Sequence, residues 1–342
     1  MSTFKWYIII VVVVIVHTLS QPFKVFSVLE RRLLTTRLEL SFQDALKGSF
    51  QDSLENLLND QMVGREFWIR LNTLKDSVTG RQIFEKVIRS QYGLHEIWLE
   101  DEGQLLKNLA FIKAFEEKTG ALISIVPHSG SLLKSSYHEL SVLFTKEGYP
   151  ELRDQFLSLA SPTMSFYKAD HHLNHLATPI MAKFVLEYLD LPFQLPSLTY
   201  CADFLGTLSP YYLSLTPQKD ALWVYDAPIE SITFNNQTLD SLHDLKACQG
   251  VNPYQGLLHG NHGLMNIKTG VNNGQRLLLI KDSHAHQLIP FLTYHYETID
   301  VIDLRHFNGS IQTLLDQGYD DVVVFVGEGS VREDRSFFKL NR

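Results

Sequence analysis

Apolar residues gather into short unbroken runs in the last third of the chain. Arg276-Leu-Leu-Leu-Ile280, Thr298-Ile-Asp-Val-Ile302 and Val322-Val-Val-Phe-Val326 are bounded by polar and turn residues. Runs of this length, rich in Val, Ile and Leu, read as strands covered on both faces. The stretches between them, His284 to Tyr296 and Ser310 to Gln317, have the mixed pattern expected of helices. A strand–helix series of this kind predicts right-handed crossovers within a parallel sheet. An earlier unit repeats the pattern. Glu96-Ile-Trp-Leu99 reads as a strand, Gly103 to Thr119 as an amphipathic helix closed by Gly120, and Ala121-Leu-Ile-Ser-Ile-Val126 as a buried strand ended by Pro127.

Other segments follow different periods. In residues 29–92, Leu46, Phe50, Leu54, Leu57 and Leu58 recur at helical spacing, and Arg65 to Lys75 and Gly80 to Ser90 continue it. This predicts a helical lead-in to an α/β body over 93–342. A mixed region at about 195–270 reads as an insertion, in which Leu222-Trp-Val-Tyr225 and Ser231-Ile-Thr-Phe234 are strands or a hairpin. At the N-terminus, Lys5 precedes an apolar run from Trp6 to Val16, the pattern of an export signal. Thr18 and Ser20 suit cleavage after Ser20, whereas apolarity continuing through Phe23 and Val28 suits an uncleaved anchor over 1–28. Either reading places the rest of the chain outside the cell membrane, as a secreted or anchored extracellular domain.

Composition narrows the partners. The 342 residues are 45% hydrophobic and 20% charged, with a formal net charge of -8 and no basic run. Phosphate binding needs a basic footprint, so nucleic acid is not an expected partner. The two cysteines, Cys201 and Cys248, match no zinc spacing and would be free to pair in an exported protein.

The candidate chemistry lies at turns. Ser283 follows the strand 276–280 after Lys281 and Asp282 and precedes a helix. A serine there is held at the sheet edge, although it also serves as a helix cap. In Asp170-His171-His172, residues two apart face the same way on extended backbone, so Asp170 can orient His172 as a general base. Gly260 and Asn261, in a Gly-rich loop, are candidate oxyanion donors. A rival reading uses the clustered His171, His172 and His175 for a metal-dependent hydrolase. The strand at 121–126 supplies none of the extra Asp ligands such enzymes need.

Taken together, four segments resemble the DHHW family of bacterial exported proteins, itself similar to the alginate O-acetyltransferases with their SGNH-hydrolase-like domain. They are Phe166-Tyr-Lys-Ala-Asp-His-His172, Cys201-Ala-Asp-Phe-Leu-Gly-Thr-Leu208, Leu258-His-Gly-Asn-His-Gly-Leu264, and Leu279-Ile-Lys-Asp-Ser283 continuing through Pro290-Phe-Leu292 to Ile302-Asp-Leu-Arg305. The resemblance implies an SGNH-like, mostly parallel sheet flanked by helices. It implies Ser283 as nucleophile, His172 as base and Asp170 as its orienting acid, with no cofactor. The implied activity is acyl transfer to, or removal from, a cell-surface or extracellular polysaccharide. The implied partners are a carbohydrate polymer, an acyl donor and a membrane-embedded acyltransferase. Leu173 stands where the family has its tryptophan, His284 and His286 follow the serine, and Gly327-Glu328 ends the last strand in place of Tyr-Asn. These departures make a non-catalytic glycan- or partner-binding protein the alternative.

Overall fold

The computed structural model describes residues 2–37, 49–97, 102–133, 162–213 and 218–342. Leu46 and Trp98-Leu99 lie outside them. The chain divides into two compact units, Met1–Phe84 with Ser209–Pro217, and Glu85–Leu208 with Gln218–Arg342.

The first unit is mainly helical, with helices Ser2–Ser20, Ser49–Gln61 and Arg65–Val78. Most apolar side chains of Ser2–Ser20, among them Trp6, Ile10 and Val13, are exposed. No helix among the described residues is long and apolar enough to cross a membrane. Within this unit Arg32 and the Thr35 N–H converge on Asp60 and hold its carboxyl down at about 2 against the cost of its burial. The helical reading stops short of residue 80. Ile83–Phe84 and Val87–Ser90 are strands, the latter paired antiparallel with Gly93–Glu96. Val87 and Ile88 are both buried, and adjacent β-branched residues favour extended backbone over helix.

The second unit is built on a seven-stranded sheet. Its order runs Gln237–Leu239, Ile229–Phe234, Leu264–Thr269, Thr298–Ile302, Arg276–Lys281, Asp321–Gly327, Leu122–Val126. The last four pair parallel, in the register Leu277 with Ile299 and Asp321, and Val323 with Leu122. The first four pair antiparallel. The sheet is therefore mixed, not mostly parallel. Only residues 270–275 separate Leu264–Thr269 from Arg276–Lys281, too few for a crossover. The two therefore run in opposite directions, and Leu264–Thr269 pairs antiparallel with Thr298–Ile302.

The buried runs place one core on each face. Leu277, Leu279, Ile299, Val301 and Val323 pack with Met181, Val185 and Phe291 on one side. Leu278, Ile280, Val324 and Val326 pack with Leu105, Ile112 and Phe115 of the helix Glu102–Thr119 on the other. Alternation along each strand supplies both faces at once. Two expectations from the middle and end of the chain change. Asp220–Asp226 pairs with Ser197–Phe204 in a separate ribbon, whereas Ile229–Phe234 joins the central sheet, so the two are not one hairpin. The expected helix after Ser283 is broken into a 3₁₀ turn, Ser283–Gln287, and one short turn, Ile289–Leu292. Pro290 lacks the N–H that would continue the ladder.

Candidate active site

The strand Arg276–Lys281 ends at Asp282, whose carboxylate caps the turn by accepting the His284 N–H. Asp282 does the capping, which leaves the Ser283 hydroxyl free for other work. The partner comes from the segment 166–173, a tight loop closed by the bridge between Phe166 and Leu173. The Tyr167 N–H donates to the His172 carbonyl, and the Asn174 N–H to the Ser165 carbonyl. The loop thereby presents Asp170 and His172 on one side.

His172 Nε2 lies 2.8 Å from Ser283 Oγ. Its Nδ1 lies 2.5 Å from Asp170 Oδ1, which also accepts the His172 N–H at 2.9 Å. Asp170 Oδ2 accepts the Thr207 N–H at 2.7 Å and the Thr207 hydroxyl at 2.9 Å. The next-door Gly206 is required by the closeness of the two loops, since a Cβ there would sit 1.9 Å from the Ala169 carbonyl oxygen. Tyr254 stacks on the His172 ring at 3.9 Å between centroids and 16° between planes. It sits beside the Cys201–Cys248 disulfide in a small buried cluster.

The charges follow from this packing. Burial would raise the Asp170 carboxyl, but His172, His171 and the Thr207 N–H hold it well below the usual carboxylate range. Burial lowers His172, against the pull of Asp170 upward. The imidazole is thus a free base near neutral pH, with Nδ1–H fixed toward Asp170 and Nε2 open to the serine proton.

Asp170, His171 and His172 also place one ligand atom each within 4.8 Å of one another. They do not suit a metal. The Asp170 carboxylate already accepts four hydrogen bonds, and His171 Nδ1 lies 2.8 Å from Thr207 Oγ1. A cation would have to break the set that orients His172.

The oxyanion candidates divide. The Gly260 N–H donates to the Leu257 carbonyl, so that amide is already spent on its own turn. Gly260 serves the turn itself, at a φ of 97° that favours glycine. Asn261 is held differently. Its Oδ1 accepts from Lys281 Nζ at 3.1 Å and lies 3.0 Å from His286 Nε2, and its Nδ2 is left unengaged among the described residues. Lys281 is fully buried beside Asp303, and burial brings its amine down to about 8. Leu173 is 3% exposed within the core, where it fills apolar space. Gly327 and Glu328 also turn inward. The Gly327 N–H donates to Asp282 Oδ2, and Glu328 pairs with Arg332.

Several of these residues escaped the sequence reading. Gly206, Thr207 and Lys281 lie within family-resembling segments but carried no role there, and Tyr254 gave no local signal. Asp282 and His284 did, because they repeat the Asp-x-His spacing of residues 170–172. A cavity of about 390 Å³ opens beside the serine, lined by His171, Ser283, His284, Glu96, Arg305 and Ser330 among others.

Searched against known proteins, the chain matches no family model and no curated protein by sequence. Solved structures do match. A DHHW family protein from Eubacterium siraeum superposes with a TM-score of 0.54 at 18% identity, covering 75% of this chain and 94% of its own. The fold is shared with a DHHW family protein. Bacillus cereus PatB1 matches with a TM-score of 0.57 at 16% identity, over 74% of this chain and 99% of PatB1. A PatB1 structure with a sulfonyl adduct gives a TM-score of 0.58, again at 16% identity, over 74% of this chain and 97% of that one. The O-acetyltransferase domain of Pseudomonas putida AlgJ is more distant, with a TM-score of 0.40 at 13% identity over 75% and 99% of the two chains. The superposed region accounts for about three quarters of the sequence.

Proposed function

We propose that this protein is an exported serine-nucleophile acyltransferase or esterase acting on a cell-surface or extracellular polysaccharide. The observation that carries the reading is the chain of contacts Ser283 Oγ to His172 Nε2 at 2.8 Å and His172 Nδ1 to Asp170 at 2.5 Å. It assembles residues 111 positions apart in the order that general-base activation of a hydroxyl requires. Ser283 Oγ would attack the ester carbonyl while His172 takes its proton. Asp170 would stabilise the resulting imidazolium, and Asn261 Nδ2 would meet the oxyanion in place of Gly260. Such a donor is typically worth about 3 kcal/mol. On collapse, His172 would return the proton to the leaving alcohol and leave an acyl-Ser283. A sugar hydroxyl or water, deprotonated by the same imidazole, would then take the acyl group.

The motif resemblance to the DHHW family and the O-acetyltransferases supports acyl chemistry on a polymer, and the fold shared with PatB1 and the DHHW protein agrees with it. The disulfide supports an oxidising, exported setting. The apolar exposed helix Ser2–Ser20 supports an N-terminal signal or anchor. A membrane-embedded acyltransferase is the partner that would deliver acyl groups to such a domain.

The test is to incubate the full chain with a chromogenic acetyl ester, beside Ser283→Ala, with and without an oligosaccharide acceptor. Mass spectrometry should find an acetyl group on Ser283, and then on the acceptor. A wild type no faster than Ser283→Ala would refute the reading. Release of acetate with no acetylated sugar would assign an esterase.

A further inference from the structure

Ser283 stands inside a second Asp-x-His step. In the first, Asp170 Oδ1 accepts the His172 N–H at 2.9 Å and faces the ring Nδ1 at 2.5 Å. In the second, Asp282 Oδ1 accepts the His284 N–H at 2.9 Å and faces the ring Nδ1 at 3.1 Å. The remaining oxygens are matched too. Thr207 gives Asp170 Oδ2 one backbone N–H and one hydroxyl, and Gly327 N–H and the Ser330 hydroxyl give the same to Asp282 Oδ2, at 2.7 and 2.6 Å. The last strand is shaped for the His284 ring, since a Cβ at Gly327 would lie 2.4 Å from its Cε1. The ring centroid lies 5.0 Å from that of His172 and 5.3 Å from that of His171.

We propose that His284, fixed by Asp282 and seated on Gly327, is a cationic positioning residue that anchors the nucleophile's turn and keeps His172 a free base. The proposal rests on the reading of Ser283 as nucleophile and His172 as its base.

Two imidazoles this close do not both hold a proton cheaply near neutral pH. The surroundings decide which one does. Asp282 faces His284 from its own turn. His171 and His172 face it from the base loop, and Glu96 from the strand Gly93–Glu96. Lys86, Arg305 and Glu333 stand further round the cavity. Burial opposes charge on His284, yet the Asp282 carboxylate above all, with the His171 backbone and with Glu96, whose own carboxyl burial pushes up to about 7, raises it above the ordinary imidazole value. Burial lowers His172, and the His284 charge lowers it further. The proton therefore resides on His284, and His172 is left open to accept from Ser283.

The test reads the two rings directly. In the full-length wild type, histidine ring C–H resonances are followed by NMR against pH, assigned by their loss in single His→Gln variants. His284 should titrate above 6.5 and His172 below it. The reverse order would overturn the proposal without need of any variant. In His284→Gln, checked for folding by circular dichroism, the acidic limb of Ser283 labelling by a fluorophosphonate should move up by about one pH unit. The labelling rate at pH 5.5 would then fall about tenfold, with a smaller change at pH 8. Gly327→Ala, which displaces the ring without removing its charge, should move the limb the same way. A folded His284→Gln with an unmoved limb, or a loss equal at every pH, would overturn the proposal. Absence of any labelling in the wild type, with the rings titrating in the expected order, would instead sink the serine-nucleophile reading.

Discussion

Replacing Asp170 by asparagine removes one charge from the buried heart of the site and little volume. The carboxylate now accepts two donors on each oxygen, His172 N–H and Nδ1–H on one, Thr207 N–H and hydroxyl on the other. An asparagine offers one oxygen and one NH₂, so two of those donors lose their acceptor. Whichever way the amide turns, the cost is felt. If NH₂ faces His172, the imidazole moves its proton to Nε2 and cannot take another from Ser283. If NH₂ faces Thr207, the tautomer survives but the imidazolium formed during attack loses its counter-charge. At ~4 Å between charge centres and an effective dielectric of about 20, that counter-charge is worth about 4 kcal/mol. This alone slows turnover about a thousandfold. With the tautomer error added, the expected fall in kcat is about 10³ to 10⁴. The assay is hydrolysis of a chromogenic acetyl ester, with folding checked by thermal melting and KM expected to change little. A folded Asp170→Asn that keeps more than a tenth of wild-type kcat would refute the assignment of Asp170 as the orienting acid.

Three further outcomes follow from other contacts. Gly206→Ala drives a Cβ to 1.9 Å from the Ala169 oxygen and 2.6 Å from Asp170 Cβ; it should cost about 2–4 kcal/mol in denaturant melts, and unchanged stability would contradict the close approach of the two loops. Reducing the Cys201–Cys248 bond, which closes a separation of 47 residues, should lower stability by about 4 kcal/mol on the chain-entropy account, read as a fall in Tm with reductant that a Cys201→Ala, Cys248→Ala double variant no longer shows. His95 is buried with its Nδ1 unpartnered, and burial brings it down to about 4. The unfolded chain binds that proton from about pH 6.5 downward while the folded chain does not until about pH 4, so stability is complete above that window and lost as pH falls through it. The loss amounts to about 3 kcal/mol, and urea melts of His95→Gln should show a flatter profile over the same range.

The central strands and the helix Glu102–Thr119 were legible because burial on both faces leaves a continuous apolar run, and an amphipathic helix leaves a periodic one. Ser283, Asp170 and His172 were legible as candidates from their places at turns, and the structure brings the three together. Other elements carry no such mark. Ile229–Phe234 and Asp220–Asp226 look alike as sequences, yet one joins the central sheet and the other a ribbon, because pairing depends on partners far along the chain. The end of the helical lead-in was misread since Val87 and Ile88 fit a helical face as well as a strand, and the hairpin with Gly93–Glu96 decides between them.

What the sequence by itself determined is local. It placed a serine after a buried strand, an aspartate two residues before a histidine, and a glycine where a turn needs positive φ. What only the tertiary structure decided is which of these meet. Thr207, 37 positions beyond Asp170, completes the carboxylate's shell. Asn261 rather than Gly260 keeps a free donor, because the glycine amide is consumed by its own turn. Two equal Asp-x-His steps acquire different charges because Asp282 and Glu96 surround one ring, while the other shares the field of its neighbour. Hydrogen-bond saturation and burial act through space, and neither is written in the order of residues along the chain.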